Sequence, residues 1–510
     1  MDDRTWADLN MDAVFSALDG TASTLGRQAL YHRLRTIPTG DSLDAFEALV
    51  ARMTTDTSAR TRATRALGRL RDAHGYNLWW LAGKDALEVR PWYVVFPFLT
   101  ATTVLLLALL LTPWWPRVVP VLIVTMVTNL VVRFSTDRRV LDLAGAFRQL
   151  APVIATAQSL RFLRGEAIDP ITAPLQSDVR TLGRLKTISR WVSGDPFMLA
   201  VIPNPLAVIL TDFSNTIYDY LNLAFLLDAN GVYFGAGELR THGAALLRVI
   251  AAMGDVDSAI SVATYRDATD AWTRPRVVAA GTAATLNDVR HPLVDAAVPN
   301  TVTLGPGRGA LVTGSNMSGK STFLRTVGVA AVMGQTINTC LAAEYAAPVF
   351  HVRSCIGRAD DLLAGKSYYI VEVESLLELV KASASADPHL FLLDELFRGT
   401  NTVERIAAGQ AMLETLLAAG TGQAPHVVLA ATHDGELVDL LPTLYTPYHF
   451  GDSAGPEGLT FDHKLQPGPA TSRNAITLLR LYGAPERLVQ RATERAAALD
   501  RQRGITPASR

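Results

Sequence analysis

From Trp92 to Leu111 the chain runs WYVVFPFLTATTVLLLALLL, twenty residues without a charge. Such a run has two outlets: a helix enclosed by other apolar elements, or a helix crossing a bilayer, whose core takes about 20 apolar residues. Thr112-Pro-Trp-Trp-Pro-Arg117 follows as a proline-bounded turn, and a second apolar run, Val118–Val132, ends at Arg133. That run is short for a span and carries Asn129, so interfacial flanks must complete its length. Residues 92–134 therefore read as a transmembrane helical hairpin in contact with lipid, its paired tryptophans suiting a membrane–water interface. Arginines crowd the N-terminal side (Arg60, Arg62, Arg65, Arg69, Arg71 and Arg90) and the exit (Arg133, Arg138 and Arg139), whereas the turn holds Arg117 alone. The positive-inside bias then places both ends of the hairpin in the cytoplasm, so the expected location is the cytoplasmic membrane. The arginine cluster fits anionic headgroups and a solvated helix face equally well. A hairpin buried in a large helical core is the alternative reading of the same residues.

The 510 residues allow two to four domains. Hydrophobic residues make up 49% and charged residues 19%, and much of the apolar excess lies in the hairpin. A net charge of −1 lacks the basic balance of a protein that binds nucleic acid by bulk electrostatics, which leaves only a local basic surface for DNA. The two cysteines, Cys340 and Cys355, make neither a disulfide framework nor a metal cluster and fit a reducing compartment. The N-terminus lacks the charged-then-apolar layout of a signal peptide.

Residues 1–91 and 135–287 are mostly helical by pattern, with Leu141–Leu163 and Ala244–Met253 as examples, and Pro196, Pro203 and Pro205 interrupt them. After Trp272-Thr-Arg-Pro275 the texture changes. Short β-branched runs appear at Thr301–Leu304, Ala310–Thr313, Leu390–Leu393 and Val427–Ala430, separated by helical stretches. That alternation is the α/β pattern of a nucleotide-binding domain, expected over 288–470.

Gly314-Ser315-Asn316-Met317-Ser318-Gly319-Lys320-Ser321 fits G-x-x-x-x-G-K-[ST] in the required setting, a strand before it and a helical run from Thr322 to Val332 after it. Glycines let backbone N–H groups turn onto phosphates, and a helix N-terminus adds a positive dipole end. Lys320 is expected at the β- and γ-phosphates of ATP, and the Ser321 hydroxyl on Mg²⁺. About 70 residues on, the apolar strand Leu390–Leu393 delivers Asp394 to the Mg²⁺ shell and Glu395 as the base that polarises the attacking water. The third strand ends at Ala431-Thr432-His433, where the imidazole can contact the γ-phosphate.

In this order the motifs resemble the ABC-type ATPase domain of the MutS mismatch-repair family. The likeness rests on Arg290-His-Pro292, Val298-Pro-Asn300, the loop TGSNMSGKSTFLR, Gly357-Arg-Ala-Asp-Asp-Leu362, Gly365-Lys-Ser367, Asp394-Glu-Leu-Phe-Arg-Gly-Thr400 and Ala431-Thr-His433. The resemblance implies an α/β P-loop ATPase domain at the C-terminus, preceded by an all-α core/lever-like domain that carries the hairpin. It also implies a homodimer, with each nucleotide held between one P-loop and the partner's signature segment, where Ser367 stands as the trans-acting serine. A helix opened by Pro485, with Leu488, Val489, Ala492, Ala496 and Leu499 on one stripe, suits either dimerisation within 471–510 or packing on its own domain. Leu18 to Gly26, with Leu30, Leu34 and Pro38, resembles the opening of the family's lever domain, and Met253 to Pro275 its end.

The departures shape the expected function. The chain opens where the lever domain would open, so no mismatch-reading domain is expected, and no aromatic-x-Glu wedge is found. The region after the hairpin is too short for full levers plus a DNA-gripping clamp, and Phe397 replaces a small residue beside Glu395. The leading expectation is a membrane-anchored, dimeric ATPase. A DNA clamp and an ATP-dependent scaffold are the alternatives, and one hairpin without an LSGGQ-like stretch does not fit an ABC transporter.

Overall fold

The computed structural model describes residues 1–38, 40–71, 78, 91–135, 138–192, 218–315, 317–356, 368–418, 425–455, 458–470, 476, 479–480 and 482–502. They form two compact units: Met1–Leu18, Arg33–Pro38 and Arg266–Arg510 in one, and Asp19–His32 and Thr39–Tyr265 in the other.

The first unit is a mixed α/β body with ten strands among its described residues: β1 (Arg276–Val277), β2 (Ala284–Val289), β3 (Asn300–Leu304), β4 (Gly309–Thr313), β5 (Glu344–Ala347), β6 (His351–Cys355), β7 (His389–Asp394), β8 (Val427–Ala431), β9 (Tyr445–Gly455) and β10 (Gly458–Pro467). Six of them make the main sheet in the order β10-β9-β4-β8-β7-β6, and β1-β5-β2-β3 make a smaller one. From β9 to β6 every pairing is parallel, and only β10 runs antiparallel. Strands β4 and β8 are buried at every position, as expected of parallel strands covered on both faces. The apolar run Thr301–Leu304 joins the smaller sheet, a distinction that a short strand's sequence does not carry.

The outer edge of β6 is covered by the helix Asp3–Asp8. Ser354 N donates to Thr5 Oγ1 at 3.2 Å, and Ile356 N and Ser354 Oγ both donate to Asp8 Oδ2, at 2.9 and 2.7 Å. An edge strand's unpaired N–H groups are thereby satisfied by side chains rather than by another strand.

The second unit is helical among its described residues. Asp257, fully buried, accepts from Ala22 N at 2.9 Å, Ser23 N at 2.8 Å and Ser23 Oγ at 2.6 Å, which fastens the start of the helix Thr24–Arg35 to the helix Leu227–Asp267. Gly26 permits this approach, since a Cβ there would stand 2.1 Å from Asp257 Oδ2. Two segments far apart in the sequence are thus brought together. The helix Leu227–Asp267 is 41 residues long, far beyond the Ala244–Met253 legible in sequence, and Gly231, Gly235, Gly237 and Gly243 weaken the helical signal before it. The helix expected over Leu141–Leu163 runs instead from Arg138 to Ser159.

Two helices, Trp92–Leu109 and Trp115–Ser135, are long and apolar enough to cross a membrane, and most of their residues are not buried. The second spans 21 residues, longer than the run Val118–Val132, because Trp115, Pro116 and Arg117 open it and Arg133 to Ser135 extend it. Asn129 is completely buried between them, its Nδ2 donating to Thr103 Oγ1 at 3.1 Å and to Ala224 O at 2.7 Å. Thr100 Oγ1 donates to Phe225 O at 2.7 Å. These side chains satisfy carbonyls at a helix break where Leu226 takes φ 49°.

Candidate functional site

Strands β4, β8 and β7 lie side by side, and their C-terminal ends bring three segments together. Ligands of parallel α/β sheets bind at that end of the strands. After β4, Gly314 takes φ 137° and Gly319 φ 114°, both costly for a residue with a Cβ. A Cβ on Gly314 would also meet Phe450 O at 2.8 Å, so the turn is fixed by close backbone approach. The helix Lys320–Ile337 then starts, with the N–H groups of its first turn lacking intrahelical acceptors, as at any helix N-terminus.

Lys320 is 5% exposed, and its Nζ donates to Gly314 O at 2.9 Å and Ser315 O at 2.8 Å. Burial lowers its pKa; Glu395 and Asp394 oppose that, and Arg398 adds to it. Ser321 Oγ donates to Asp394 Oδ2 at 2.6 Å. The Oγ atoms of Ser315 and Ser318 are buried without a hydrogen-bond partner among the described residues. Met317 (φ 70°) and Thr322 face solvent.

Asp394 closes β7, and Glu395 N donates to Ala431 O at 2.9 Å, so the carboxylates leave the sheet in succession. Glu395 has φ 52°. Its Oε1 lies 2.5 Å from His433 Nε2 and its Oε2 2.9 Å from Arg398 Nη1. His433 Nε2 is also 3.5 Å from Lys320 Nζ. Beside it, Arg405 pairs with Asp434 at 2.6 Å. Of the residues singled out in the sequence, Gly314, Ser315, Ser318, Gly319, Lys320, Ser321, Asp394, Glu395 and His433 are therefore gathered in one place. Asn316, Ser367 and the segments Gly357–Leu362 and Gly365–Ser367 lie outside the described residues.

Three participants were not legible as such. Arg398 lay inside the Asp394–Thr400 motif, unassigned. Glu372 Oε1 accepts from Phe397 N at 2.8 Å. His463, with φ 52°, places Nδ1 3.0 Å from Ser318 O, and no motif pointed to it.

Residues 310–500 match the family model MutS domain V. "DNA mismatch repair protein MutS 2" of Halobacterium salinarum is 34% identical over 52% of this chain and 30% of its own length. "DNA mismatch repair protein MutS" of Natronomonas pharaonis is 34% identical over 48% and 28%, and the protein of that name from Thermus thermophilus 33% over 50% and 30%. The fold and the site thus define a mixed α/β domain of the kind that the MutS domain V model describes. Over its C-terminal half the chain is similar to the MutS family. It spans about a third of the length of these relatives.

Proposed function

We propose that the protein is a membrane-anchored, MutS-like P-loop ATPase that hydrolyses ATP with Mg²⁺ at a site shared between two subunits, and so rearranges its helical region. The carrying observation is the convergence of Lys320, Ser321, Asp394, Glu395 and His433 at the ends of β4, β7 and β8. The donor set fits the nucleotide and its cation. Buried Ser315 and Ser318 hydroxyls, a buried ammonium and a helix N-terminus suit phosphate oxygens. Ser321 with Asp394 offers the hydroxyl and single carboxylate that suit Mg²⁺, an ion that otherwise leans on water and phosphate. When bound, the cation supplies charge neutralisation at the phosphates. Lys320 orients the phosphates, Glu395 takes a proton from water, and His433 holds Glu395 and senses the γ-phosphate.

The composite dimer follows from the family's arrangement of Ser367. Mixing Lys320→Ala subunits with Ser367→Ala subunits tests it: restored turnover supports shared sites, and no restoration contradicts them. Membrane anchoring, at the cytoplasmic membrane with the ATPase domain in the cytoplasm, is supported by the exposure of Phe98, Leu105, Val124 and Val131 on helices of spanning length. Arg117 lies over the Trp114 ring at 5.3 Å, an arrangement suited to an interface.

The relatives' names favour a second reading, a clamp on DNA. Binding to duplex, mismatched or branched DNA that weakens steeply with salt supports it. Lack of binding at low salt removes it.

A further inference from the structure

We propose that Arg398 is a positioning residue that holds the Glu395 carboxylate in a restrained state, from which the phosphate anion of the bound nucleotide draws the guanidinium away for only part of the time. The inference rests on the ATP-hydrolysis reading and adds its regulation.

A general base needs an oxygen that is free to accept a proton and is not neutralised by a neighbouring cation. Glu395 meets neither condition: Oε1 faces His433 Nε2 at 2.5 Å, and Oε2 is ion-paired to Arg398 at 2.9 Å. The arrangement is fixed by the loop. Glu395 and Phe397 both take left-handed backbone, φ 52° and 55°, where residues with a Cβ are uncommon. Phe397 is held there on two sides. Its N–H donates to the buried Glu372, and its ring packs into the apolar cluster with Leu376, Leu396 and Leu413. The next residue, Arg398, is thereby aimed back at Glu395.

The two partners differ in freedom. The Glu395 side chain is 12% exposed and the Arg398 side chain 49%. Arg398, half exposed, can turn to another anion, whereas Glu395 is enclosed. A half-exposed pair is weak enough to be exchanged. The anion that would compete is at hand: Arg398 Nη1 holds Glu395 at 2.9 Å, Glu395 holds His433 at 2.5 Å, and His433 Nε2 stands 3.5 Å from Lys320 Nζ. A triphosphate held by Lys320 therefore brings phosphate oxygens within the reach of Arg398.

The test is steady-state MgATP hydrolysis by the full chain, wild type against Arg398→Ala and Arg398→Lys. The expected result is a kcat about twofold to fivefold higher for Arg398→Ala, the scale of an exposed ion pair that persists in part with nucleotide bound, with KM within about twofold. Arg398→Lys restores the slow rate. A kcat that falls or stays the same, or a fast rate that Arg398→Lys leaves in place, overturns the proposal. Should Arg398→Ala not fold by circular dichroism, Arg398→Gln carries the same comparison. Wild type without turnover, or turnover that persists in Glu395→Gln, defeats the ATPase reading itself. Glu395-dependent turnover with no gain on losing Arg398 defeats this inference alone.

Discussion

Ser321 Oγ donates to Asp394 Oδ2 at 2.6 Å, joining the first turn of the helix Lys320–Ile337 to the end of β7 across 73 residues of chain. A hydroxyl and a carboxylate from separate elements meet only if β4 and β7 flank β8, as they do. The pair is the frame on which the cation assignment rests. Ser321→Ala is expected to raise the Mg²⁺ concentration for half-maximal turnover by about tenfold or more, the scale of losing one metal partner. Magnesium titration of the initial rate checks this.

Lys320 lies buried against the loop carbonyls, so its removal takes away both the ammonium aimed at phosphate and the tie that closes the loop. Lys320→Ala should weaken ATP binding by about tenfold or more while leaving the melting temperature within a few degrees. Equilibrium binding of a fluorescent ATP analogue, with a thermal melt in parallel, separates the two effects.

The hairpin offers a graded test. Leu105 and Val124 are exposed on the two apolar helices, at 60% and 65%. An arginine at the centre of a span costs about 2.5–3.5 kcal/mol on insertion scales. Leu105→Arg combined with Val124→Arg should move the protein from the alkali-resistant membrane fraction to the supernatant. Asn129→Leu should leave insertion intact yet lower the melting temperature, because Ala224 O loses its donor.

His389 carries the clearest pH dependence. Burial lowers its pKa from 6.5 to about 4, with His426, His351 and Arg353 adding to the shift and Asp387 O opposing it. A histidine held neutral in the folded chain binds fewer protons than in the unfolded chain. Its contribution is therefore complete above pH 6.5 and is lost as pH falls toward about 4. His389→Leu should flatten the fall in melting temperature across that window.

Much of the site was readable because its chemistry is local. Gly314–Ser321 encodes a turn and a helix start within eight residues, and Asp394 and Glu395 stand directly after an apolar strand. Nothing local marks Glu372, whose role depends on the left-handed turn at Phe397, or His463, brought in by the hairpin of β9 and β10. The fold divided the same way. Buried parallel strands announced themselves as β-branched runs, whereas the edge of β6 is completed by Asp3–Asp8, which no pattern near β6 foretells. The second apolar helix was underestimated because Trp115, Pro116 and Arg117 at its start and Arg133 to Ser135 at its end lie outside the apolar run.

The central claim is that Glu395 drives hydrolysis at a site held by Lys320 and Ser321. Single-turnover ATP hydrolysis by purified full-length protein, wild type against Glu395→Gln, tests it most directly. The account predicts that the variant binds ATP as tightly as wild type and hydrolyses it about 100-fold or more slowly, the share of a general base. Equal hydrolysis by the two proteins would contradict it.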